Sequence, residues 1–320
     1  MKVLFVSSGN SSDGISPVVF NQGEALKKEG IELEYFTVRG KGLKGYIKGI
    51  KDLADYPALS SFDVIHAHYS LSAILAGLAL LLSNGRNKRK VVASLMGSDV
   101  HSSFLHRVII RFFHRRIWQR TIVKSREMYD VMGLSSAEVI PNGVDIELFR
   151  PGSRQEARKS IGISNEAAII IFVSDPLRPE KNFKLAEKAV EKLYGDTSNL
   201  LVVNNMPVNM IPLYMNAADL LLLTSLWEGS VNVVKEAMAC DSPIVATAVG
   251  DVMWVLGNTP GTFLTDGSVE NTAEMINEAL DFSAFNKSTG GRERILTLGL
   301  DSRSISKRLI NIYLNITENN

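Results

Sequence analysis

A chain of 320 residues is too long for one ordinary hydrophobic core and suits two domains of roughly 150 residues each. With 45% apolar and 22% charged residues it lies near the soluble globular average, which excludes disorder, collagen-like repeats and coiled coil. Lys and Arg (35) balance Asp and Glu (34), so whole-chain charge gives no case for nucleic acid, and the single cysteine, Cys240, excludes a disulfide framework and suits a reducing cytoplasm.

The opening MKVLFVSSGN reads as a first buried strand, since one Lys and a short apolar run are too little for a signal peptide. Further short apolar runs follow at residues 31–38, 64–65, 91–95, 121–123 and 139–140, then at 168–173, 200–203, 220–223, 244–247 and 262–264. They are rich in branched residues and apolar on both faces, as parallel strands covered by helices are. Segments between them, such as 18–28 and 183–193, carry apolar positions at helical spacing. The pattern predicts two doubly wound α/β domains, 1–150 and 151–300, with 301–320 a closing helix expected to pack back towards the first. Pro141, Gly143, Pro151 and Gly152 punctuate the boundary. In the closing helix Ile305, Leu309, Ile310, Ile312 and Leu314 form an apolar face beside Arg303, Lys307 and Arg308. The most apolar helix candidate, 71–82, is short of the roughly 20 residues a bilayer needs, so no transmembrane span is predicted.

Charge is distributed unevenly. Residues 1–150 carry 20 Lys and Arg against 14 Asp and Glu, and residues 151–320 carry 15 against 20. Between residues 101 and 124 stand Arg107, Arg111, Arg115, Arg116, Arg120 and Lys124 with no acid, interleaved with Phe104, Ile109, Ile110, Phe112, Phe113, Ile117 and Trp118. Arg107, Arg111 and Arg115 share a helix face. Two readings stay open: a helix lying on an anionic membrane surface, or a core helix with one wet basic face. Lys41, Lys44, Lys48 and Lys51 form a second basic cluster around Tyr46, Ile47 and Ile50. No nucleic-acid motif accompanies these charges.

The stretch that carries chemistry is SLWEGSVNVVKEAMAC, residues 225–240. The strand at 220–223 runs into a loop at Glu228-Gly229-Ser230, and a helix is predicted from about Val231 with Ser230 as its N-cap. Unpaired backbone N–H groups at the helix start and the helix dipole favour a phosphate there, and Gly229 keeps the backbone accessible. Glu228 and Glu236 are eight residues apart, roughly 12 Å along a helix. That spacing fits an extended nucleotide-sugar, but taken alone it reads more readily as two solvated helix charges. His66 and His68 share a strand face without a third ligand nearby, and no acidic cluster looks like a metal set. Neither a Walker loop nor a GxGxxG fingerprint occurs, so an NTPase or dehydrogenase lacks its motif.

Glu-x7-Glu embedded in residues 225–251 closely resembles the signature of retaining glycosyltransferases of family 4, whose GT-B fold sets two Rossmann-like domains across a cleft. Ile140-Pro141-Asn142-Gly143-Val144-Asp145 resembles the interdomain segment of that family. Residues 62–68 and Gly97-Ser98-Asp99 resemble its N-domain strand ends. The resemblance implies that the first domain faces the acceptor and the second binds the donor. Glu236 would hold the ribose, Glu228 the donor-sugar hydroxyls, and the amides of 229–232 the diphosphate. Lys181 matches the cation that neutralises the departing diphosphate. Pro176 stands where the family usually has an Arg, so Arg178 must substitute. Met96 replaces a cleft histidine, leaving His101 or His68 to fill the space beside Asp99. The paired glycines near the donor phosphates reduce to Gly14.

The implied activity is retaining transfer without a metal or cofactor, from a UDP-sugar or GDP-sugar to a glycan or lipid-linked acceptor. Cell-surface polysaccharide or glycolipid assembly is the expected setting, in the cytoplasm or on the inner face of its membrane. A GT-B epimerase acting on nucleotide-sugars is a rival that Glu-x7-Glu argues against. A catalytically silent GT-B module that binds a nucleotide or supports a partner transferase is the alternative that Pro176 and Met96 favour.

Overall fold

The computed structural model describes residues 1–10, 14–40, 42–83, 90–100, 103–164, 167–196, 199–285 and 288–318. The chain forms two compact units, Met1–Asn142 with Ser302–Asn320, and Gly143–Asp301. The division falls at Gly143 because the next residue is tied into the second unit. There the Val144 N–H donates to Leu300 O at 2.9 Å, and Val144 bridges to Asp301.

Unit 1 runs β1 (Lys2–Ser8), α1 (Pro17–Lys28), β2 (Glu32–Val38), α2 (Gly42–Ala54), β3 (Val64–His68), α3 (Ser70–Leu82), β4 (Lys90–Ser94), α4 (Gly97–Val100), α5 (Phe104–Arg116), β5 (Arg120–Val123), α6 (Arg126–Met132) and β6 (Glu138–Val139). Its strands are all parallel, in the order β2-β1-β3-β4-β5-β6. Alternation along the strands sends Leu4, Val6, Ile65, Ala67, Val91 and Ala93 into one core with Leu75, Ala76 and Ala79 of α3, Ile110 and Phe113 of α5, and Met128 and Met132 of α6. The helices begin where their sequences supply caps. Ser16 accepts from the Val19 N–H ahead of Pro17, and Ser125 accepts from the Met128 N–H; α6 then ends at Gly133 in the left-handed region.

The opposite alternation of the same sheet carries Phe5 and His66, and here the C-terminal helix Ser302–Glu318 returns to unit 1. His66 Nδ1 stands 2.6 Å from the Tyr313 hydroxyl and His66 Nε2 stands 2.7 Å from Ser94 Oγ. Lys90 Nζ donates to Ile316 O, and Arg303 pairs with Glu29. His68 stacks on His66 at 4.4 Å and is also fully buried. Burial pushes both imidazoles well below their usual pKa, with nearby Lys124 acting in the same direction. His68 is therefore a neutral core residue and does not fill the space expected of it; His101 lies outside the described residues.

The basic segment at 107–124 divides. Lys124 is buried at the end of β5, and Arg120 lies near Glu138 at 3.7 Å. The α5 portion meets solvent, and there Phe104 (73%), Leu105 (68%) and Phe112 (57%) stay exposed beside Arg107, Arg111, Arg115 and Arg116. No helix among the described residues is long and apolar enough to cross a membrane.

Unit 2 runs α7 (Arg154–Ile161), β7 (Ile170–Phe172), a 3-10 turn at Pro179–Lys181, α8 (Phe183–Tyr194), β8 (Leu200–Val202), α9 (Ile211–Ala217), β9 (Leu220–Leu223), α10 (Asn232–Ala239), β10 (Ile244–Thr247), α11 (Val252–Leu256), β11 (Thr262–Thr265), α12 (Val269–Phe285) and α13 (Gly291–Thr297). The parallel order is β11-β10-β9-β7-β8. Ile170, Phe172, Leu220, Leu222 and Val245 pack with Ala186, Ala189 and Val190 of α8 and Ala273, Ile276 and Ala279 of α12. Cys240 is buried at the end of α10, and burial pushes its thiol up to about 12.

Each sheet reverses its winding once. β1 lies between β2 and β3, and β7 lies between β8 and β9. Loops leaving two adjacent strands in opposite directions part at such a point and open a crevice at the carboxyl ends of the strands. Both units place their unusual polar residues there.

Candidate active site

In unit 2 the crevice lies between the loops that follow β7 and β9. The loop after β9 is held by Thr224, whose hydroxyl donates to Lys181 O at 3.0 Å, and by the Leu226 N–H, which donates to Glu180 O at 2.8 Å. The 3-10 turn at Pro179–Lys181 is thereby fixed against residues 224–228. Lys181 Nζ forms a hydrogen-bonded ion pair with Glu228 Oε1, and both side chains are largely buried. The Ser225 hydroxyl donates to the same oxygen at 2.9 Å. Both bonds fall on Oε1, which leaves Oε2 to accept from a ligand hydroxyl.

Gly250, at the end of the β10 loop, has φ +58°, and a Cβ on it would stand 2.8 Å from Glu228 O. Only glycine allows the two loops to touch. The next residue, Asp251, is buried and accepts three bonds. Val231 N–H donates to Oδ1 at 2.8 Å, Ser230 Oγ–H to Oδ2 at 2.9 Å, and Lys235 Nζ to Oδ2 at 2.7 Å. Lys235 is 1% exposed and also donates to Ser230 Oγ. Two expectations are corrected here. The N-cap of α10 is Val231 rather than Ser230, whose hydroxyl is taken by Asp251 and Lys235. The Val231 amide, read as a phosphate donor, is satisfied within the protein by Asp251.

Glu236 follows on α10, half-buried. Burial pushes its carboxyl up to about 7 from the ordinary 4.5, against the pull of Lys235. A carboxyl that costs energy to ionise persists where it serves a ligand. Arg178 is apart from this cluster: its guanidinium grips Glu180 in its own loop, Nε to Oε1 at 2.8 Å, and is half exposed. Gly229 is buried within the loop and Asn232 opens α10.

Unit 1 holds a crevice of about 440 Å³ at its own switch point, lined by Ser7 and Ser8 from β1, Tyr46 of α2, Tyr69 and Ser70 where β3 meets α3, and Asp99 and His106 among others. Tyr69 has φ +68°, a strained conformation for a residue with a side chain, held by its N–H donating to Ser94 O at 2.9 Å. Asp99 is buried and accepts from Ser70 Oγ at 2.5 Å and from the Met96 N–H at 2.7 Å. Burial raises its pKa, and those hydrogen bonds lower it. Ser70 Oγ also stands 3.0 Å from His106 Nε2. Among the described residues, the imidazole of this crevice is His106. Met96 contributes its backbone, with its side chain buried. Gly14, with φ +83°, has open space where a side chain would project.

The sequence reading missed Lys235, Asp251, Ser70 and His106. Lys235 looks like a helix surface charge, and nothing in its spacing announces burial. Asp251, directly after a glycine at a strand end, was the one readable signal. Among the described residues no group of three or more His, Cys, Asp or Glu could hold a metal ion.

Two parallel α/β units, with carboxylates and a cation gathered where one sheet reverses, define a nucleotide-binding class of fold. Two family models match the chain, Glycosyl transferases group 1 over residues 164–281 and Glycosyltransferase Family 4 over residues 46–148. Together they span most of it, and the chain belongs to the group 1 glycosyltransferases. It is 27% identical over 254 residues to TuaC of Bacillus subtilis (strain 168), whose proposed role is as a teichuronic acid biosynthesis glycosyltransferase; the match covers 72% of this chain and 63% of that protein. It is 28% identical over 262 residues to a D-inositol 3-phosphate glycosyltransferase of Mycolicibacterium smegmatis, covering 69% and 60%. The chain thus spans under two thirds of the length of these relatives. Among solved structures, a sucrose-phosphate synthase from Thermosynechococcus elongatus superposes with TM-score 0.84 at 16% identity over the whole of both chains. Anabaena HepE in complex with UDP-glucose superposes with TM-score 0.76 at 18% identity, covering 98% and 99%. These neighbours identify the fold as GT-B.

Proposed function

We propose that the chain is a retaining, metal-independent glycosyltransferase that moves a sugar from a UDP-sugar or GDP-sugar to a glycan or lipid-linked acceptor in cell-surface polysaccharide or glycolipid assembly. The observation that carries this reading is the Lys181–Glu228 pair at the switch point of unit 2, with Glu236 two turns farther along α10. The HepE complexes with UDP and UDP-glucose support a nucleotide-sugar donor for the fold.

In this reading Glu236 accepts from the ribose diol and Glu228 Oε2 from a donor-sugar hydroxyl. The diphosphate meets the backbone of Gly229, Ser230 and Asn232, the Val231 amide being already taken by Asp251. Lys181, already aligned by Glu228, stabilises charge that grows on the β-phosphate as the glycosidic bond loosens. Arg178 adds a second cation once it leaves Glu180. No separate nucleophile is called for, because the leaving phosphate oxygen takes the acceptor's proton on the same face. The hydroxyl-rich crevice of unit 1, with Asp99, Ser70 and His106, suits a polyhydroxylated acceptor. The exposed Phe and Arg side chains of α5 support attachment at an anionic membrane surface, where a lipid-linked acceptor resides.

The test is nucleoside diphosphate release from UDP-sugars and GDP-sugars in the presence of chelator. Release by the wild type, lost in Glu236→Ala and Lys181→Ala, supports the transferase; retention is read from the anomeric configuration of the product. Nucleotide binding without release supports the silent module instead.

A further inference from the structure

We infer that the buried Lys235–Asp251 pair is a positioning device that sets the anion capacity of the α10 N-terminus, an inference that rests on the donor reading above. An α-helix N-terminus attracts anions through its unpaired N–H groups and dipole. Here one anion is already built in. Asp251 reaches from the β10 loop, takes the Val231 N–H at 2.8 Å and the Ser230 hydroxyl at 2.9 Å, and so fixes the two residues that follow Gly229.

An uncompensated carboxylate at that place would repel a diphosphate. Lys235 removes the conflict, with its ammonium on Asp251 Oδ2 at 2.7 Å and on Ser230 Oγ. Both side chains are almost wholly buried, at 1% and 3% exposure, so solvent screens neither charge. In such surroundings a single uncompensated charge is felt several ångströms away. The pair thus shapes the loop with a carboxylate while leaving the site no more negative. Gly250 is part of the device, since only a residue without Cβ brings Asp251 this close to the Glu228 loop. Neither Lys235 nor Asp251 need touch the substrate.

Charge sign separates this role from simple scaffolding. UDP binding is measured by calorimetry on the full chain, with GDP and ADP in parallel and uridine as a ligand without phosphate. Lys235→Met should weaken UDP by about tenfold or more, because Asp251 is left uncompensated. Lys235→Met/Asp251→Asn should return to within about threefold of wild type, and Asp251→Asn alone should bind UDP no more weakly than wild type. Uridine affinity should fall much less than UDP affinity in every variant, any remaining change reflecting the pull of Lys235 on Glu236, and the donor KM should move while kcat holds. The inference is overturned if the double variant is no better than Lys235→Met, if Asp251→Asn weakens UDP as much as Lys235→Met does, or if uridine weakens in step with UDP. If Lys235→Met does not fold, Asp251→Asn and the double variant decide: wild-type or tighter UDP binding in both supports the device, and a tenfold loss in both ends it. A wild type that binds none of the three nucleotides removes the donor reading itself, and the inference with it.

Discussion

Replacing Glu236 by Gln should make the protein more stable and a poorer nucleotide binder at once. The carboxyl is held at about 7 by burial, against 4.5 for an ordinary glutamate. Each tenfold in proton affinity is about 1.4 kcal/mol, and partial exposure trims the full effect, so ionised Glu236 costs the native state about 2–3 kcal/mol. Because the folded carboxyl holds its proton more tightly than the unfolded one, this cost is absent below pH 4.5, grows between 4.5 and about 7, and is complete above. Glu236→Gln carries no charge at any pH. At pH 8 it should therefore melt about 4–12 °C above wild type, taking 2–4 °C per kcal/mol for a unit of this size, and the gap should close by pH 4.5. In the same variant UDP should bind about tenfold more weakly, since a charged acceptor for the ribose diol is gone. Paired calorimetric melts and UDP titrations at pH 8 and pH 5 measure both effects. A variant melting at or below wild type at pH 8 would refute the burial argument; unchanged UDP affinity would remove Glu236 from the ribose.

Tyr313→Phe should cost about 1–3 kcal/mol by thermal melt, because it strands His66 Nδ1 in a buried site with no other partner for that nitrogen. Phe104→Ser/Phe112→Ser should lose sedimentation with vesicles containing phosphatidylglycerol while melting as the wild type does, since both rings are exposed. Wild-type sedimentation should fall with salt and be absent with purely zwitterionic vesicles; salt-insensitive binding would count against the α5 arginines.

The fold was legible because parallel strands buried on both faces leave short unbroken apolar runs. The runs at 64–65 and 220–223 mark β3 and β9 directly, and the gaps between runs admit helices. Of the candidate site, Glu228, Lys181 and Glu236 were singled out through the resemblance to family 4, since spacing alone reads the two glutamates as solvated helix charges; the structure brings Lys181 and Glu228 together. What escaped depends on third dimensions that periodicity does not encode. Lys235 stands one residue from Glu236 on the same short helix, yet one is sealed against Asp251 and the other half-open, and only the position of the β10 loop decides which. His106 was hidden for a related reason: a histidine on an arginine-rich amphipathic helix reads as surface, while Ser70 draws it into the crevice. Lys124 misled in the opposite direction, continuing a basic pattern in sequence while ending a buried strand in space.

The return of Ser302–Glu318 to the first unit has a temporal meaning. On the ribosome the second unit emerges complete before the helix that roofs Phe5, His66 and Lys90 has been made. One side of the first sheet therefore lacks its cover through the synthesis of the entire second unit. Closure comes when Ser302–Glu318 docks and Tyr313 meets His66. A helix made after the whole of the second unit thus fastens the sheet of the first.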